Sequence, residues 1–192
     1  MNKQFAFIFL VFAVLFSCKN SKPKETGNED QKKNFFPVLD YLKSEIHYVD
    51  SLPLGITKYS TIGNKTDTAY IKSPEFDKFA DDFLSTDLEP QNFEKEFSET
   101  SFMDETTHSA TFTYATKNSK LELQRVDVLA NTIDGANKVS SIYLEKKSHK
   151  NDTLIVEKLL WRTRTSFQIA TSTQVSIQPP IVKQLKLVWG TE

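Results

Sequence analysis

The residues in this chain that could do acid–base, metal or anion chemistry seldom stand at spacings that force them together. Three histidines, His47, His108 and His149, show neither His-x-x-x-His nor His-Glu spacing, so they read as surface residues and no metal site is expected. Carboxylates cluster at Asp81-Asp82, at Glu94, Glu96 and Glu99, and at Asp104-Glu105. A glycoside hydrolase needs two carboxyl groups facing each other across a cleft, one with a raised pKa. Nothing in these spacings makes a pair converge. Five glycines leave no phosphate cradle, and no Gly-x-Ser-x-Gly elbow is present. No cofactor is implied, and the expectation is a protein that is not an enzyme.

The most suggestive local feature is Trp161-Arg162-Thr163-Arg164. In a strand, Trp161 and Thr163 would share one face and Arg162 and Arg164 the other. Two guanidinium groups on one wet face can hold a carboxylate or phosphate bidentately, so Trp161, Arg162 and Arg164 are the candidate ligand-binding residues. The plainer alternative is a solubilising face paired with cross-strand acids such as Glu145 or Glu122. Twenty-four basic against 25 acidic residues give a net charge of −1, which offers nucleic acid no electrostatic footing.

The elements that must position these groups are short. Residues 35–50 predict a helix, with Phe35, Val38, Leu39, Leu42, Ile46 and Val49 on one stripe, Lys43, Glu45 and Asp50 off it, and Asn34 as cap. Residues 56–62 and 68–72 predict a hairpin around Gly63–Asp67. Ser73-Pro74 opens a second helix, Ser73 capping it, with Phe76, Phe79, Ala80, Phe83 and Leu84 on one face. A short third helix is expected over 91–97. From Ser109 onward alternation predicts strands, with a switch of face near Gln124 or Arg125 that implies a β-bulge, and a last strand carrying Leu185, Leu187 and Trp189. The chain lacks the continuous Val/Ile/Leu runs of a doubly wound sheet. The predicted class is α+β: two or three N-terminal helices packed on a mainly antiparallel, meandering sheet. That arrangement is loosely similar to cystatin-like folds and to periplasmic lipid-carrier half-barrels, a likeness of architecture alone.

The first eighteen residues differ from all the rest. Asn2, Lys3 and Gln4 precede an unbroken apolar run, Phe5–Phe16, that ends in Leu15-Phe16-Ser17-Cys18. Twelve residues make about 18 Å of helix, too short to span a bilayer but right for the apolar region of a signal peptide. The exit resembles the lipobox of bacterial lipoproteins, although Phe16 stands where small or β-branched residues are commoner. Cys18 is the only cysteine in the chain, so it is the one residue that could carry the lipid (palmitate among its acyl chains). Residues 1–17 are then the signal peptide, 18–34 the lipidated cysteine and a polar disordered tether, and 35–192 a single globular domain.

The resemblance implies a cell-envelope lipoprotein held to the membrane, similar to those of the Bacteroidetes. Lys19-Asn20-Ser21-Lys22 follows the cysteine in place of an acid-rich export signal, which points to the periplasmic side of the outer membrane. Asp50-Ser51-Leu52, Asp67-Thr68-Ala69 and Asp152-Thr153-Leu154 look like the Asp-Ser/Thr-aliphatic O-glycan acceptors of exported proteins in Bacteroides-like bacteria, with Thr68 and Thr153 beside predicted loops. The functional expectation is a non-catalytic binding or assembly module for an envelope protein, lipid or glycan. The alternative is a carrier of a small apolar ligand or lipid, with Phe76, Phe79, Phe83, Tyr143 and Trp161 lining a cavity between helices and sheet. A hydrolase is the third reading.

Overall fold

The computed structural model describes residues 34–53, 55–133 and 136–190. The expected signal peptide, Cys18 and the expected tether up to residue 33 lie outside the described residues. Helix α1 (Val38–Asp50) begins three residues after the start expected for it. The cause is Pro37, which disfavours helical backbone at Phe36, so Pro37 itself is the N-cap and Asn34 does not cap. The buried face is Val38, Leu42, Glu45 and Val49. At about 100° per residue Glu45 projects within about 20° of Val38, so the expectation that it lay off the stripe was wrong.

The chain then forms a hairpin of β1 (Ile56–Ile62) and β2 (Lys65–Ile71). Its turn is only Gly63-Asn64, with Gly63 in the left-handed region at φ 58°. Helix α2 (Ser73–Ala80) follows, with Pro74 in its first turn. Lys72, not Ser73, is the N-cap; the Ser73 hydroxyl instead donates to Asp50 Oδ1 and ties α2 to the end of α1. Two 3-10 turns, 81–83 and 86–88, lead into α3 (Pro90–Glu96).

Seven strands complete the domain: β3 (Phe97–Asp104), β4 (Ser109–Thr116), β5 (Leu123–Ile133), β6 (Ala136–Lys150), β7 (Thr153–Arg162), β8 (Ser166–Val175) and β9 (Ile181–Val188). They form a meander, and the β1–β2 hairpin adds to its last strand, giving one sheet in the order β2-β1-β9-β8-β7-β6-β5-β4-β3. Every pairing is antiparallel. The β5–β6 register shifts between Leu123 and Arg125, the bulge that the switch of face implied.

Among the described residues the fold is therefore mostly a nine-stranded antiparallel sheet with three helices. The helices are interleaved with the first hairpin and not gathered ahead of the strands, and the sheet dominates more than an α+β description suggests. One face of the sheet is wet. Arg125 holds Asp127 at 2.9 Å there, Thr113 donates to the same carboxylate, and Tyr143 donates to Glu145. The other, inner face carries the core. Across it the register aligns Val128, Ile142, Trp161, Phe167 and Leu187 in one row, and Tyr114, Val126, Leu144, Leu159, Ile169 and Leu185 in the next. Helix residues Leu42, Phe76, Phe83 and Phe93 belong to the same buried cluster. Among the described residues no helix is long and apolar enough to cross a membrane.

Candidate functional site

The inner face does not stay apolar to its end. One row beyond Leu159, Ile169 and Leu185, the register lines up Lys146, Glu157, Thr171, Lys183 and Ile62 from β6 to β1. These side chains point to the face that bears the core, yet apart from Ile62 the row is charged and hydroxylated, so it forms a polar shelf. The 3-10 turn at 81–83 overhangs it. Phe83 is fully buried and pins that turn to Trp161 and Phe167, with ring centroids 5.2 and 5.1 Å apart. Lys146 Nζ donates to the Asp82 carbonyl oxygen from below. Between overhang and shelf lies a groove of about 280 Å³, lined by Asp82, Thr171, Lys183, Ile62, Ile169 and Leu185 among others.

The groove is electrostatically mixed. The pKa of Glu157, next to Thr171 in the row, is raised from its ordinary value, first by desolvation and then by the charge of Asp82. Lys146 and the Thr171 hydroxyl, which donates to Glu157 Oε1 at 3.3 Å, oppose that rise. Asp82 is a surface residue, but enough protein surrounds its carboxyl that desolvation raises its pKa too, with Lys146 again opposing and Asp81 and Glu122 adding to it. Lys183, the Asp82 carboxyl, the Thr171 hydroxyl and three aliphatic side chains thus meet in the groove, with Lys146 and Glu157 continuing the row beside it. That set can hydrogen-bond a polar ligand while an apolar edge packs beside it.

The sequence-predicted site residues are not brought together. Trp161 is fully buried, its ring stacked 5.4 Å from Phe167, and its Nε1 donates to Glu45 Oε2 at 3.4 Å. Arg162 is exposed at the end of β7, in register with Ser141 and Ser166. Arg164 does not stand beside it on a common strand face, because β7 ends at Arg162 and Arg164 takes φ 64° in the turn that follows. The turn swings Arg164 towards α1, where its Nε lies 3.1 Å from Glu45 Oε1 and its guanidinium covers the Tyr48 ring at 3.7 Å. The expected arginine fork does not exist. Glu145, one of the cross-strand acids named for it, stands opposite other bases, Arg125 and Lys158.

The aromatic set proposed as a cavity wall is also divided. Phe76, Phe83 and Trp161 are fully buried against one another, Phe167 and Trp189, which makes them core. Phe79 is partly buried beneath Lys58 Nζ, and Tyr143 stands on the wet face, its pKa pushed up to about 12 by burial and its bond to Glu145.

Thr68 is exposed but sits within edge strand β2, where its N–H donates to Asp67 Oδ1, and not beside a loop. Thr153 opens β7 directly after the Asn151-Asp152 turn. All three histidines are exposed. Among the described residues no three of His, Asp and Glu gather in a way that could hold a metal ion. Sequence reasoning noticed Asp82 only within an acidic cluster and did not single out Lys146, Glu157, Thr171 or Lys183. The available signal was the run of charged residues continuing the core-facing positions of β6 to β9.

No protein-family model, curated protein or solved structure matches the chain.

Proposed function

We propose that this chain is a lipid-anchored lipoprotein of the bacterial cell envelope that acts as a non-catalytic binding module, with the inner-face groove as its ligand surface. The anchor is Cys18, supported by the resemblance of Leu15-Phe16-Ser17-Cys18 to a lipobox. The domain sits on the periplasmic side of the outer membrane. One observation carries the binding role: the row Lys146, Glu157, Thr171 and Lys183 is polar on the face that bears the core, and a groove lined by Thr171 and Lys183 opens at its β8–β9 end. Its volume, about 280 Å³, lies at the small end for ligand pockets and suits one sugar unit or one side chain of a larger envelope partner.

The test is a photo-reactive p-benzoylphenylalanine placed at Thr171 in the groove and, as control, at Lys158 on the wet face. The module reading expects a discrete envelope adduct from position 171 that is lost in Lys183→Glu, and none from 158. Equal labelling from both positions, or none from 171, contradicts it.

A hydrolase is the second reading, favoured by the carboxyl pair: the charge of Asp82 helps to raise Glu157 beside the groove. On that reading a glycan or ester would be turned over, and Glu157→Gln would abolish turnover while leaving binding intact. The module reading expects no turnover.

A further inference from the structure

One end of the sheet carries five exposed aliphatic side chains. Ile177 is 98% exposed, Ile181 61% and Ile62 56%, with Val175 and Val182 next to them. Register places three of them at one end of the inner face: Ile62 closes β1, Val175 closes β8 opposite Thr153, and Ile181 opens β9 opposite Thr173; Val182, opposite Ser172, lies at the same end on the other face, and Ile177 stands in the β8–β9 connection. Lys65 in the β1–β2 hairpin, Lys150 at the end of β6 and Lys183 on β9 surround them. Glu157, in the same cross-strand row as Lys183 and Ile62, and Asp67 and Asp152 are the nearby acids on these strands and turns. An exposed apolar cluster rimmed by lysines is a contact surface, and its chemistry matches an anionic lipid surface, apolar tips entering the interface and ammonium groups meeting headgroups.

The position of the anchor agrees. Phe36, near the start of the described chain, donates its N–H to Tyr114 Oη on β4, at 3.1 Å. Tyr114 stands in the same cross-strand row as Leu185, so Ile181 is four residues, about 13 Å, farther along the strands. The two sites are five strand spacings apart, about 24 Å. Residues 19–33 can span up to about 50 Å, so the lipid on Cys18 and this end of the sheet can engage one membrane together.

We propose that the end of the sheet formed by Ile62, Val175, Ile177, Ile181 and Val182 docks on the anionic lipid surface of the membrane that holds the anchor. This rests on the Cys18 reading. Docking places the groove, which shares Ile62 and Lys183 with this end, at the membrane surface.

The test uses the full lipidated chain in vesicles of phosphatidylethanolamine and phosphatidylglycerol, and in vesicles of phosphatidylcholine. With Cys18 acylated, Ile177→Cys or Phe102→Cys supplies a single thiol for an NBD label; Phe102 is exposed at the opposite end of the sheet. The expected result is a blue-shifted NBD emission at 177 that nitroxide lipids quench at least twofold, stronger with phosphatidylglycerol and weakened by Lys65→Glu with Lys183→Glu. The label at 102 stays in water. If the chain floats with the vesicles but the 177 label also stays in water, the docking is wrong and the anchor stands. If the chain does not float with the vesicles, the anchor reading fails and the docking with it.

Discussion

Glu45 brings a carboxylate into the core and meets it with three donors: Trp161 Nε1–H, the Arg164 backbone N–H at 2.9 Å and Arg164 Nε–H. Around it, Tyr41 Oη donates to Thr163 Oγ1, which in turn donates to the Val139 carbonyl. Gly190 closes the same corner, since a Cβ there would meet the Arg164 carbonyl oxygen at 2.5 Å. The charge therefore fixes where the β7–β8 turn lies on α1. Glu45→Ala orphans a buried indole N–H and a backbone N–H, and should cost about 2–3 kcal/mol in urea denaturation. Glu45→Gln, which keeps an acceptor, should cost about 1 kcal/mol. Equal losses would mean that the acceptor has no special role. At the groove the sign is opposite. A carboxyl whose folded pKa is raised binds more protons when folded, so its contribution is present at acid pH and lost as pH rises through the folded value. Glu157→Gln should therefore stabilise the fold near pH 7.5, by about 0.5 kcal/mol once solvent screening is allowed for, and by nothing near pH 4. Thermal unfolding at the two pH values checks it.

At the scale of elements, the decisive strand is β9, which lies between β1 and β8 and so joins the hairpin to the meander. Gln184 on it is in register with Thr61 and Ala170. Gln184→Pro removes a ladder hydrogen bond from an interior strand and should cost about 3 kcal/mol or more, while Gln184→Ala stays within about 0.5 kcal/mol. Similar denaturation midpoints for the two variants would contradict the strand order. Helices and most strands were legible because each buries a single face: Phe76, Ala80 and Phe83 announce α2 and the turn beyond it, and the change from Leu123 to Val126 announces the bulge. Strand β3 was not legible. As an edge strand it buries only Phe97 fully and exposes Phe102 and Met103, so its residues show no alternation to read. Arg164 was misplaced for a different reason. Strand alternation assumes extended backbone, and a left-handed residue in a turn breaks the rule without a glycine to mark it. The groove stayed hidden because it depends on which residues three hairpins and the long-range β9–β1 pairing place side by side.

For the whole molecule, core, groove and apolar end fall in sequence along the inner face of one sheet. Helices cover the core, the 82–83 turn overhangs the polar shelf, and Ile181 and Ile177 lie past it, so the groove and the end proposed to dock on the membrane are neighbours by construction. The account stands on the anchor. The most direct measurement is growth with alkyne-palmitate, followed by cell fractionation of the wild type and Cys18→Ala. The account predicts that the wild-type chain is labelled and sediments with membranes, whereas Cys18→Ala is unlabelled and soluble. An unlabelled wild type, or a Cys18→Ala chain that still partitions wholly with membranes, would contradict it.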